Sequence, residues 1–87
     1  MDLSKPIEIS PHALEKMLDR GASESEVEAA IRTGSPAPAR KGRLMFRKNF
    51  VFDSQWRGKD YAVKQVAPVV AEEADRLVVA TVFVFYF

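Results

Sequence analysis

With 87 residues, 47% of them hydrophobic, the chain makes one domain around one core and has no room for a second. It has no cysteine and a single histidine, which excludes disulfides, thiolate metal sites and any familiar zinc cluster, so neither a metal nor another cofactor is expected. The net charge of +1 hides an uneven distribution, with −3 over residues 1–39, +6 over residues 40–64 and −2 over residues 65–87. Exposed charges more than about 8 Å apart are screened at physiological salt, so a local surplus of six attracts phosphates on a nearly neutral protein. The same cations also serve the plainer purpose of keeping sheet edges from aggregating.

The opening segment, Met1 to Ile9, has neither the basic stretch nor the apolar stretch of a secretory signal, so a cytoplasmic location is expected. Ile7 and Ile9 alternate with Glu8 and Ser10 as in a short strand. Ser10-Pro11 then supplies a capping residue and a proline at the first helical position. Leu14, Met17 and Leu18 form the apolar stripe of a first helix, which ends at Arg20-Gly21. Ser23 to Glu26 is a capping box that opens a second helix. That helix buries Val27, Ala30 and Ile31, and Thr33 to Pro36 stops it before a linker, Ala37-Pro38-Ala39.

Beyond the linker, Leu44, Phe46, Phe50 and Phe52 share one parity, predicting a strand with a bulge or break near Arg47-Lys48-Asn49. Asp53 to Gly58 reads as a turn, and Tyr61 to Val70 as a strand in which Pro68 marks a bulge or an unpaired amide. Glu72 to Asp75 is a charged connection onto the uncharged run Leu77 to Phe87. Eleven residues rich in β-branched and aromatic side chains make a strand buried on both faces and fall well short of the ~20 that a membrane helix needs, so no membrane partner is expected. In this strand the bulkier parity, Leu77, Val79, Thr81, Phe83 and Phe85, is expected beneath the helices. The smaller one, Val78, Ala80, Val82 and Val84 with Tyr86, is expected on the uncovered face, where Val78, Val82 and Val84 would line a homodimer interface or the floor of a groove. The expected fold is α+β, in the order β-α-α-β-β-β, with two N-terminal helices packed on a small antiparallel sheet.

His12-Ala13, Arg20-Gly21, Ser23, Val27 and Ile31, followed by Arg47 to Phe50, Trp56, Gly58-Lys59, Tyr61, Lys64 to Val66, Pro68 and Thr81 to Phe87, resemble a family of small bacterial proteins of unknown function. That family is in turn similar to the RelE/ParE toxin superfamily, which would make residues 1–87 a single RelE/ParE-like domain. The resemblance implies a ribosome-dependent, metal-independent endoribonuclease, with RNA or the ribosome and an antitoxin protein as partners. It also implies a concave basic sheet and a C-terminal tyrosine at the scissile phosphate. The chain departs from that pattern in its low net charge and in having Arg76 as the one basic residue near its last strand.

Cleavage of RNA by the adjacent 2′-hydroxyl requires a base, an acid and cations around phosphorus. His12, Lys64, Arg47 and Tyr86 are the catalytic candidates. His12 falls in a first helical turn, where the helix dipole favours the neutral ring. The plainer alternative is an ordinary first-turn residue that packs on the sheet or pairs with Glu15. Lys64, on an otherwise apolar strand, meets either a phosphate or a carboxylate such as Asp53, Glu72 or Glu73. Arg43, Lys48, Arg57 and Lys59 interleave with aromatic residues, Trp56 above all, as phosphate contacts and stacking platforms do on single-stranded nucleic acid. The rival reading is a non-enzymatic interaction domain that binds nucleic acid, a protein or a second copy of itself.

Overall fold

In the computed structural model, which describes residues 1–87, the chain runs through β1 (Ile7–Ile9), α1 (Pro11–Arg20), α2 (Glu24–Thr33) and β2 (Ser35–Pro38). A 3-10 turn at Arg40–Gly42 leads into β3 (Leu44–Trp56), β4 (Lys59–Glu72) and β5 (Leu77–Tyr86). The strands form one sheet in the order β1-β5-β4-β3-β2, with both helices on one face. The α+β class and the chain order of helices and long strands are as expected. The sheet is mixed, however, because β1 runs parallel to β5 while every other pair is antiparallel. The expected linker also contributes an edge strand, β2, where Pro36 and Pro38 are tolerated because an edge needs no donor on its outer side.

Both helices begin as their caps dictate. The Ser10 hydroxyl accepts from the Ala13 amide, and Ser23 and Glu26 form a reciprocal capping box. Val27, Ala30 and Ile31 are fully buried, as the α2 stripe predicts. In α1 the buried pair is Ala13 and Met17, whereas Leu14 is 41% and Leu18 86% exposed. The Ser10 amide donates to the Val79 carbonyl and its hydroxyl to that of Ala80, which ties the helix entrance to β5 and sets its rotation. Ala13, Met17, Val27 and Ile31 meet Phe46, Val66, Val70, Leu77, Val79 and Val82 in one core. Burying such side chains contributes about 1.5–3 kcal/mol for each large one.

The long strands differ from expectation in register. β3 passes unbroken through Arg47–Asn49, and its irregularity lies between Val51 and Ser54, where Asp53 has a φ of +42°. The turn shrinks to two residues, Arg57 and Gly58, with φ of +52° and +83°; positive φ at both positions matches the twist of the hairpin it closes. Trp56 is therefore a strand residue. Pro68 is buried in mid-β4, and the registered pairing with β3 skips Phe46 and Arg47, next to where its amide is missing. β5 shifts register at Ala80, since Val69 faces Thr81 while Val70 faces Val79.

That one-residue shift corrects the expected sorting of the last strand. Leu77 and Val79 face the helices before it, and Val82, Val84 and Tyr86 do so after it. Val82 has no exposed surface and Val84 packs on the core, so neither lies on the uncovered face. Strand alternation turns Phe83 and Phe85 to that face instead, and Phe87 beyond the strand continues their parity.

Candidate nucleic-acid interface

Beneath the helices, at the far end of the sheet, lies a polar and aromatic knot. The Lys64 ammonium is 2.8 Å from Glu26 Oε2 and donates to the Gly21 carbonyl at 2.9 Å, with 11% of its side chain exposed. Lys64 thus has a carboxylate partner, but on α2 rather than Asp53, Glu72 or Glu73, because its parity aims it at the helices. Burial raises the Glu26 carboxyl, and the bonds from Lys64 and the Ser23 amide outweigh that, holding it below the ordinary value. Tyr86 donates its hydroxyl to the Arg20 carbonyl at 2.8 Å and stacks on Trp56, the ring centroids 5.0 Å apart. Burial, and then the Glu26 carboxylate, raise the Tyr86 phenol above 10.0 despite the opposing pull of Arg57, so it is protonated and a weaker acid than usual. Gly21 closes the knot with a φ of +83°, and a Cβ there would lie 2.6 Å from the Tyr86 hydroxyl oxygen and 2.8 Å from Trp56.

The four candidate catalytic residues do not share a site. Lys64 and Tyr86 are paired across β4 and β5 and both are engaged in the knot. Exposed His12 sits at the other end of α1, roughly 12 Å along the helix from Arg20 at 1.5 Å per residue. Arg47 is on the opposite face of the sheet, where its Nη1 donates to Gln65 Oε1 at 3.1 Å. The nucleic-acid candidates are spread as well. Lys48 reaches over the Phe50 ring on the helix side, and Trp56 lies against Tyr86. Arg57 pairs with Asp19, and Lys59 stands at the hairpin tip. Arg43 is at the other end of β3, roughly 40 Å away at 3.3 Å per strand residue.

A more coherent surface occupies the uncovered face. Phe83 and Phe85 form a row along β5, with centroids 6.5 Å apart, and Phe87 follows in the same parity. Beside the row, Gln65 Nε2 donates to Asn49 Oδ1 at 2.9 Å, which with Arg47 makes a hydrogen-bonded ladder across β3 and β4. The Arg47 guanidinium lies 5.7 Å from the Phe85 centroid, and that of Arg20, wrapped around the sheet edge, lies 5.0 Å from the Phe83 centroid. Toward β2 the row enters a groove of about 470 Å³ with Met45, Val69 and Phe83 in its wall and Arg40, Arg43 and Arg47 around it. No acidic residue lines this groove, and no carboxylate lies within 4.0 Å of those three guanidiniums. Lys5, Arg57, Lys64 and Arg76 are all paired by the same measure.

Of this surface, sequence reading singled out Arg43 and Arg47. Arg40, Asn49 and the three phenylalanines as a row escaped it. The alternation of the phenylalanines is visible in the chain, but the face they occupy depends on the Ala80 shift. No helix is long and apolar enough to cross a membrane. Comparison with protein-family models, with curated proteins and with solved structures finds no match, so what the surface does rests on its own chemistry.

Proposed function

We propose that this chain binds single-stranded nucleic acid across the uncovered face of its sheet, without cleaving it. The observation that carries this reading is the coincidence of three acid-free arginines with a row of partly exposed phenylalanines on one surface. Phe85 is 40% and Phe87 62% exposed, so each offers a ring face or edge to a base, and stacking is worth about 1–3 kcal/mol per base. Arg40, Arg43 and Arg47 would take phosphates, and the amide ladder of Gln65 and Asn49 offers donors and acceptors to base edges. Rings that offer faces to bases require bases that are themselves unstacked, which favours a single strand over a duplex. The cleavage reading loses support because His12 and Arg47 lie away from Lys64 and Tyr86, which are themselves engaged with Glu26, Gly21 and Arg20. RNA is the expected ligand, in the cytoplasm, with the ribosome as its larger context.

The test is fluorescence anisotropy with short labelled RNA of mixed sequence, titrated at several salt concentrations. Arg43→Glu and Arg47→Glu should each weaken binding and lower the salt slope by roughly 0.7 per lost phosphate contact. Phe85→Ala should weaken binding about 5- to 100-fold with the slope unchanged. Absence of binding by the wild type at low salt, or binding indifferent to both arginine reversals, refutes the proposal. RNA cut in the same reaction would return the protein to the ribonuclease reading.

A further inference from the structure

The outer edge of β5 is an open half-ladder. Phe87 and Val63 exchange both backbone hydrogen bonds, at 3.0 and 3.2 Å. Antiparallel alternation then points the amides and carbonyls of Phe85 and Phe83 at β4, and those of Tyr86, Val84 and Val82 away from it. β1 covers only Leu77 to Val79, and Arg20 caps the Val82 carbonyl at 2.8 Å. Val84 and Tyr86 therefore present two donors and two acceptors outward, with no neighbouring strand. The opposite edge, β2, is guarded by Pro36 and Pro38, whereas Leu77 to Phe87 contains neither a charge nor a proline. An unguarded edge of this kind is a template for another strand.

We infer that the occupant is a second copy of this chain, paired antiparallel along β5 about a two-fold axis at Phe85. The register follows from the edge. Centring the axis on Phe85 sets Val84 opposite Tyr86 of the second copy, and Tyr86 opposite its Val84, so all four outward backbone groups of Val84 and Tyr86 in each copy are used. The Arg20 bond to Val82 stays intact in this register, while an axis at Val84 would compete for it. Phe85 then faces Phe85 and Phe83 faces Phe87 across the seam, which are cross-strand aromatic pairs, and the strand itself brings no charged side chain to it. The two sheets become one, and the two uncovered faces become a single symmetric surface. The self-pairing does not depend on the nucleic-acid reading.

Sedimentation velocity without nucleic acid, across the micromolar range, tests it. The wild type should sediment as a dimer. Phe85→Asp should be monomeric with an unchanged circular dichroism spectrum, because two carboxylates would then face each other at a partly exposed position. Phe85→Cys gives the chain its only cysteine at a non-hydrogen-bonded pair, where Cα atoms approach to about 4.5 Å, and mild oxidation should cross-link it. Val51→Cys, at an 86% exposed site on β3, should not cross-link. A wild-type monomer at every concentration overturns the inference and leaves the edge to a strand of another protein. A dimer that survives Phe85→Asp, or equal cross-linking of both cysteine variants, overturns the register.

Discussion

Lys64→Met separates a structural lysine from a catalytic one. In the wild type the ammonium serves Glu26 and the Gly21 carbonyl, and the two side chains are 11% and 20% exposed. Removing it leaves a mostly buried carboxylate and a carbonyl without their donor. An uncompensated buried charge costs about 3–5 kcal/mol and a broken exposed pair about 0–1; with residual solvent access at Glu26 the expected loss is about 2–3 kcal/mol. For a domain of this size that lowers the Tm by roughly 10–20 °C, read by thermal and urea unfolding. Glu26→Gln alone should lose slightly less, since its amide still accepts from the Ser23 backbone. The double variant should recover part of the sum, giving a coupling of about 1–2 kcal/mol in a double-mutant cycle. The pH dependence has a definite sign. A carboxyl held below its unfolded value of 4.5 contributes its full stability above 4.5 and loses it as pH falls through the lower folded value. The gap between wild type and Lys64→Met should therefore be widest near neutrality and close in acid. A coupling below roughly 0.5 kcal/mol, or a gap that widens in acid, would refute the view that Lys64 anchors α2 to the sheet.

Gly21→Ala combines a left-handed backbone cost of about 1–2 kcal/mol with overpacking against Tyr86 and Trp56, so a loss of about 3 kcal/mol is expected, with a changed near-ultraviolet spectrum of Trp56. An unchanged Tm would count against the close packing. Tyr86→Phe removes only the hydrogen bond to Arg20 and should cost about 1 kcal/mol while leaving the Trp56 stack; a loss near zero would place that hydroxyl in solvent. Val82→Arg should unfold the domain or lower its Tm by roughly 20 °C, because it buries a charge under α1. A folded Val82→Arg of unaltered stability would show that this residue faces outward after all.

Local signals were enough for the parts of the fold that are themselves local. Ser10-Pro11, the Ser23–Glu26 capping box and Gly21 state where two helices begin and end, because a cap is satisfied within four residues of itself. The α2 stripe named its buried residues for the same reason. The basic middle segment and the uncharged final strand likewise announced a cationic surface beside a packed sheet. What the chain order could not state was phase. The rotation of α1 depends on hydrogen bonds from Ser10 to Val79 and Ala80, some 70 residues on, so Leu14 and Leu18 read as core although they are exposed. The faces of β5 depend on one extra residue at Ala80, because a strand has a period of two and a single insertion exchanges its sides. That shift sends Val82 and Tyr86 under the helices and Phe83 and Phe85 to the open face, while the β3–β4 register, which sets Lys64 opposite Phe50, separates Lys64 from Arg47. Residue types determined which chemistry was present; long-range pairing decided which of those residues meet.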